Sequence, residues 1–368
     1  MSVNPLQVLG ELGQSVWYDN IHRTMLADGE LARLVREDGL KGVTSNPTIF
    51  EKAITGSDAY DSAIADAVAC HPDWDAAELF NHLAVADIRA AADVLRPVYD
   101  ACGGCDGFVS IEVSPTLAHD ADGTIREALK LYTWIDRPNV MIKVPATEAA
   151  LPAIEALIDR GVPVNVTLLF SVRRYAAVAE AYIRGLESRA RRGEPLRHVA
   201  SVASFFVSRV DSAIDPRLAT AHPELLGKAA IANARHAYGL FLELFDGPRF
   251  APLRAQGAQV QRLLWASTSI KNPAYSDVLY VEELIGDRTV TTLPPATYDA
   301  YKDHGKPAPR LREGLPQAAE TLARLEAAGI DLAAVTEQLE REGIDAFVTS
   351  YRNLIAALQS KAATVAAG

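Results

Sequence analysis

Cysteine is scarce, with three in 368 residues, too few for a disulfide framework. Only Cys102 and Cys105 stand at CxxC spacing, and no second thiol or histidine pair lies near them at zinc-site spacing. They are expected to be reduced loop cysteines. Histidines are scattered too: His71, His82, His119, His198, His222, His236 and His304 form no HxH or HxxxH pair, so no metal site is expected. No run approaches the roughly 18 consecutive apolar residues of a membrane span. Met1 to Gly13 lack a basic region followed by an apolar core, so no signal peptide and no membrane partner are expected, and the predicted compartment is the cytoplasm. Positive charge is not in excess. A net charge of −11 argues against nucleic acid as the main partner but not against a small phosphorylated substrate, which local basic residues would decide. The basic stretch from Arg184 to Arg197 follows a helical pattern and reads as a solvated helix end.

What the chain does have is alternation. Eight short β-rich runs, Ser15–Asp19, Gly42–Asn46, Gly107–Val113, Val140–Ala146, Val162–Phe170, His198–Phe206, Gln261–Ser267 and Thr289–Leu293, are separated by longer stretches. Those stretches are amphipathic at helical spacing, as in Ala76–Cys102, Thr124–Trp134, Glu148–Arg160, Val172–Arg191 and Pro223–Phe245. Eight strands alternating with helices predict an α/β fold, a (β/α)8 TIM barrel with extra helices and loops. An open doubly wound sheet is the alternative, but no Gly-rich phosphate loop follows an early strand. The chain reads as a single domain over 1–368, with 361–368 a small, Ala-rich tail expected to fray. Pro294–Leu315 reads as a Pro- and Lys-containing loop, either a lid over the barrel mouth or a plain connector. Helical pattern then resumes over Pro316–Ile330 and Leu332–Gln359.

Polar residues interrupt these apolar runs at their ends: Asp19, Asn46, Glu112, Lys143, Asn165 with Thr167, Ser204, and Ser267. One such residue is explained by a cap or a loop hydrogen bond. Seven strands doing so together predict a ring of groups around one cavity at the strands' C-terminal ends. Lys143 stands out because burial in Val140–Ala146 disfavours its ammonium form, and the free amine is what attacks a carbonyl to form a Schiff base. The plain alternative is a lysine that snorkels to water or pairs with a carboxylate.

The motifs Val16–Asn20, Gly42–Phe50, Ser110–Val113, Ile142–Thr147 and Asn165–Ser171 resemble those of transaldolase, in that family's order, across about Leu12 to Tyr351. The length resembles the longer bacterial members. The resemblance implies transfer of a dihydroxyacetone unit from a ketose phosphate to an aldose phosphate through a lysine Schiff base, with no metal or organic cofactor. Lys143 on the fourth strand matches the Schiff-base lysine. Asp19 matches the proton-transfer group, where the plain reading is a helix N-cap. Glu112 and Thr167 match the pair that holds a water, although Glu112 could simply pair with Lys143. Asn46, Asn165 and Ser204 match residues that hydrogen-bond the three-carbon unit, against turn chemistry before Pro47 for Asn46 and a satisfied core hydroxyl for Ser204.

Arg209, in Ser204–Arg209, matches the phosphate-binding arginine, whose planar guanidinium suits bidentate recognition. After the seventh strand the chain departs from many relatives. Ser267 is followed by Lys271 in a longer spacing instead of by a second arginine, so the second phosphate ligand is less well defined. The expected partners are sugar phosphates, and a homodimer is carried as an expectation that no sequence feature decides. The rival readings are a fructose-6-phosphate aldolase and a non-catalytic sugar-phosphate-binding barrel. Greater length, and Phe206 where those aldolases tend to carry tyrosine, favour transfer. The intact Asp19, Glu112, Lys143 and Thr167 argue against a dead barrel.

Overall fold

The computed structural model describes residues 4–367. Eight parallel strands close on themselves in chain order: β1 (Gln14–Tyr18), β2 (Gly42–Val43), β3 (Phe108–Glu112), β4 (Val140–Pro145), β5 (Val164–Leu169), β6 (Ser201–Phe206), β7 (Gln261–Ala266) and β8 (Thr289–Leu293). β8 pairs back to β1 through Gln14 with Thr289 to Tyr18 with Leu293, which rules out the open doubly wound sheet. Helices cover the outside and side chains fill the inside, so nearly every strand residue is buried. This explains the near-continuous apolar runs.

Register aligns the polar interruptions. Glu112 on β3 stands beside Lys143 on β4, and Lys143 beside Asn165 on β5. Three of the expected residues thus form one row across three neighbouring strands. Gly42 of the short β2 lies against the Trp17 indole, where a Cβ would stand 2.4 Å from the ring. β5 shifts register between Val166 and Leu169, and Leu168 there takes φ of 61°.

Two expectations about the later chain need correction. The segment from Pro294 to Leu315 is mostly helical, as Pro295–His304 and Arg310–Glu313. Pro294, Pro295 and Pro309 stand at helix starts, where a missing N–H costs nothing. Tyr298 and Lys302 of the first helix both bond Asp38, which ties it to the helix Glu30–Asp38. The tail expected to fray from residue 361 is helical through Ala367, the end of a 36-residue helix from Leu332, while Gly368 lies outside the described residues. Lys361 anchors it by donating to the carbonyls of Ile54 at 2.9 Å and Ser57 at 2.5 Å. Among the described residues no helix is long and apolar enough to cross a membrane.

Candidate active site

A cavity of about 190 Å³ lies at the C-terminal ends of the strands, and Asp19, Asn46, Lys143, Thr167, Ser204, Arg209 and Ser267 line it. A larger one, about 490 Å³, opens beside it and shares Asp19 and Pro294. The smaller is the better candidate for chemistry because the buried amine and the guanidinium meet there.

Lys143 is 5% exposed. Its Nζ donates to the Ser45 carbonyl at 3.1 Å and stands 3.7 Å from Glu112 Oε2. That separation makes an ionic contact, too long for a good hydrogen bond. Neither Glu112 carboxyl oxygen nor Thr167 Oγ1 has a hydrogen-bond partner among the described residues, although all three atoms are buried. Burial pushes the Glu112 carboxyl up to about 7, with the Lys143 charge opposing the shift and Asp19 adding to it. Glu112 can therefore hold or release a proton near neutral pH.

Asp19 follows β1, and its Oδ1 accepts from Thr44 Oγ1 at 2.6 Å. The Thr44 hydroxyl also lies 2.7 Å from that of Thr292 on β8, so Thr44 holds the carboxyl and Thr292 steadies Thr44. Desolvation raises it above the usual carboxylate range, while the Lys143 charge and the Thr44 bond pull the other way. The helix that follows spans Arg23–Ala27 and is capped by His22, so Asp19 is not the helix cap of the plain reading.

Asn46 does cap a helix. Its Oδ1 accepts from the Ile49 N–H at 3.0 Å, which leaves its amide N–H groups free to face the cavity. Asn165 is fully buried beneath it: its Nδ2 donates to Ser110 Oγ at 3.0 Å, and its Oδ1 accepts from Ser204 Oγ at 2.7 Å. It orients Ser204, whereas Ser204 itself lines the cavity.

Arg209 is the second residue of helix Ser208–Leu218 and its guanidinium lies 5.6 Å from the Phe206 ring centroid. Burial lowers its pKa, and Glu342 opposes that shift. Opposite it, Ser267 takes φ of 55° and its Oγ lies 2.9 Å from Ser208 Oγ. Lys271 sits at the rim. Its Nζ donates to Ser269 Oγ at 2.7 Å, and Ser269 lines the cavity. Desolvation lowers the Lys271 pKa, and the nearby Arg209 charge lowers it further, so the two cations flank one region. Their loop is tied to the Arg209 helix, because Tyr275 donates to Asp215 at 2.7 Å and Tyr280 to Asp211 at 2.8 Å.

Sequence reasoning did not place Thr44, Thr292 or Phe347 at this site, and all three line it. Thr44 lies inside a motif already singled out and could have been found as a polar strand-end residue. Phe347 carried no signal, since one aromatic in a helical pattern reads as core.

A family profile described as Transaldolase/Fructose-6-phosphate aldolase matches residues 16–358. A Thiobacillus denitrificans protein named Transaldolase is 46% identical over 96% of this chain and 99% of its own length. A Streptomyces coelicolor protein named Transaldolase 1 is 49% identical over 96% of this chain and 93% of its own. Transaldolase 2 of a Nostoc species is 47% identical over 98% of each.

Proposed function

The chain belongs to the transaldolase/fructose-6-phosphate aldolase family, and we propose that it acts as a transaldolase. One observation carries the reading: a single buried amine, Lys143, shares a cavity with Asp19 and Arg209 and has Glu112 at its side. The enzyme takes a dihydroxyacetone unit from a ketose phosphate, sedoheptulose 7-phosphate or fructose 6-phosphate. It passes the unit to an aldose phosphate, glyceraldehyde 3-phosphate or erythrose 4-phosphate, in the non-oxidative pentose phosphate pathway.

Lys143 adds to the C2 carbonyl of the donor, giving a carbinolamine. Losing water from it requires a proton to reach the departing hydroxyl. Glu112, near 7, is suited to move that proton and, with Thr167, to hold the water. The resulting iminium accepts the electrons of the C3–C4 bond as it breaks. Asp19 takes the C4 hydroxyl proton, the aldose phosphate leaves, and the three-carbon unit stays on Lys143 as an enamine. Attack on the acceptor aldehyde runs these steps backwards, with Asp19 returning the proton. Asn46 and Ser204 hydrogen-bond the hydroxyls of the three-carbon unit, Asn165 holding Ser204 in place. Arg209, Ser267 and Lys271 receive the phosphate. The proposal includes a cytoplasmic location and a homodimer, which light scattering would measure.

Borohydride tests the reading. With fructose 6-phosphate present it should reduce the iminium, inactivate the enzyme and label the peptide that holds Lys143. A label on Lys41, Lys271 or Lys306 would overturn it.

A further inference from the structure

The C-terminal helix Leu332–Ala367 crosses the mouth of the barrel. At one point it rests on the end of β5 and the start of the helix Ser208–Leu218, where a Cβ on Gly343 would stand 3.1 Å from Leu168 Cδ2 and 3.6 Å from a guanidinium nitrogen of Arg209. Two turns later Ser350 accepts from Thr48 Oγ1 at 2.9 Å, on the helix that follows β2. Near its far end Lys361 binds the carbonyls of Ile54 and Ser57 and the Asp61 carboxylate. Residues 343, 347 and 350 fall on one helix face by their spacing, and that face is turned toward the strands. Between the two contacts Phe347, 7% exposed, lines the cavity. Its ring centroid lies 5.8 Å from Lys143 Nζ, within the range of a cation–π contact.

We propose that Phe347 is a specificity-determining residue that decides whether the three-carbon unit held on Lys143 passes to an aldose or is released to water. The inference rests on the Schiff-base reading above. After the first aldose phosphate leaves, the enamine has two fates. It can attack the carbonyl carbon of an acceptor, forming a carbon–carbon bond. It can instead take a proton at carbon, after which one water adds to the iminium and the carbon–nitrogen bond breaks. Free dihydroxyacetone and the lysine amine are then formed, for the net addition of one water. The water held by Glu112 and Thr167 can serve that hydrolysis, so release is committed by protonation at carbon, which needs solvent to reach the three-carbon unit from the mouth side, where Phe347 lies. An apolar ring there excludes solvent without offering it a hydrogen bond, while the sugar-phosphate end of the acceptor enters past Arg209 and Ser267.

The test uses the full-length enzyme and measures two products from fructose 6-phosphate: free dihydroxyacetone, and sedoheptulose 7-phosphate formed when erythrose 4-phosphate is supplied. Phe347→Ala should raise the ratio of release to transfer by about tenfold, within the range that one apolar pocket contact commands. Phe347→Leu, which keeps an apolar cover, should restore most of the wild-type ratio. A purely structural role would lower both products together and leave the ratio where it was, and that result, in Phe347→Ala or in Phe347→Leu against the smaller Phe347→Gly, would overturn the proposal. Melting temperature, followed in parallel, identifies any variant that fails to fold. If wild type forms no sedoheptulose 7-phosphate, the transaldolase reading itself fails. If wild type transfers and the ratio ignores residue 347, only the inference about Phe347 fails.

Discussion

The two ends of the barrel each bury an ion pair, and they satisfy it very differently. At the N-terminal end, Arg262 on β7 pairs with Asp106 just before β3 at 3.2 Å. Asp106 also accepts from the Trp17 indole at 3.0 Å and from the Ser15 hydroxyl, and Arg262 reaches Ser15 Oγ at 3.1 Å. At the C-terminal end Lys143 and Glu112 stand 3.7 Å apart, with both Glu112 oxygens unbonded. A buried charge is tolerated when its lone pairs are filled. The lower network has the saturation of a clamp, and the upper pair keeps hydrogen-bonding capacity in reserve for a reacting molecule. Conserved geometry is not needed to tell them apart; counting partners is enough.

The sharpest way to break this contrast is Lys143→Met. Transfer should fall by at least about 10⁴-fold, since among the described residues no other lysine lines the cavity to form the covalent intermediate. Yet Glu112, already pushed to about 7, can take up a proton once its cation is gone. At pH 6 the variant should therefore melt near wild type, and an urea titration giving a loss above about 3 kcal/mol would make the upper pair as structural as the lower. Without the Lys143 charge, which holds it down, the Glu112 carboxyl is pushed up further, so the variant should lose stability as pH rises above the ordinary carboxylate range and continue to lose it past the point where wild type levels off.

Arg262→Met asks the converse. It strands Asp106 among its donors and should cost about 3–5 kcal/mol in unfolding free energy, with kcat retained at a temperature where the protein stays folded. A fall in kcat with no change in stability would move the lower network into the chemistry.

Arg209→Ala should raise KM for phosphorylated donors by roughly 10- to 150-fold, or about 1.5–3 kcal/mol, and leave unphosphorylated ketoses nearly unaffected. Lys271→Ala should show the same substrate dependence more weakly, because an ammonium is less pre-organised than a guanidinium. Equal effects on both substrate types, measured by steady-state kinetics, would remove these residues from the phosphate site.

The smallest effect concerns a third buried carboxyl. Asp211 is raised to about 7 by desolvation and by Asp215, against bonds from the Ala230 N–H and the Tyr280 hydroxyl. Because its folded-state pKa exceeds the ordinary value, its stabilising contribution is present at acid pH and fades as pH rises from about 4 to about 7. Asp211→Asn should flatten the decline of melting temperature across that window. An unchanged slope would show that Asp211 does not titrate there.

Much of this was legible from residues alone. All eight strands were foreseen in order, because strands buried on both faces advertise themselves as short apolar runs and polar interruptions stand out against them. Their ends were less so: Gly42–Asn46 yields only Gly42–Val43 as strand, since Thr44 to Asn46 turn to bond Asp19, Ser110 and Ile49. Pro294 and Pro295 suggest a loop because proline breaks helices more often than it opens them. The register that sets Glu112, Lys143 and Asn165 side by side, and the contact between Phe347 and Lys143, arise from closure of the whole chain. No local spacing encodes either.

The placement of the mouth-crossing helix also has a consequence in time. Every barrel strand has been synthesised by Leu293, whereas the helix begins at Leu332. A chain emerging from the ribosome can therefore close its barrel and assemble Lys143, Glu112 and Asn165 in their row before Phe347 exists to cover them. A barrel that closed at that point would stand uncapped on the mouth side until this one helix docked across the site.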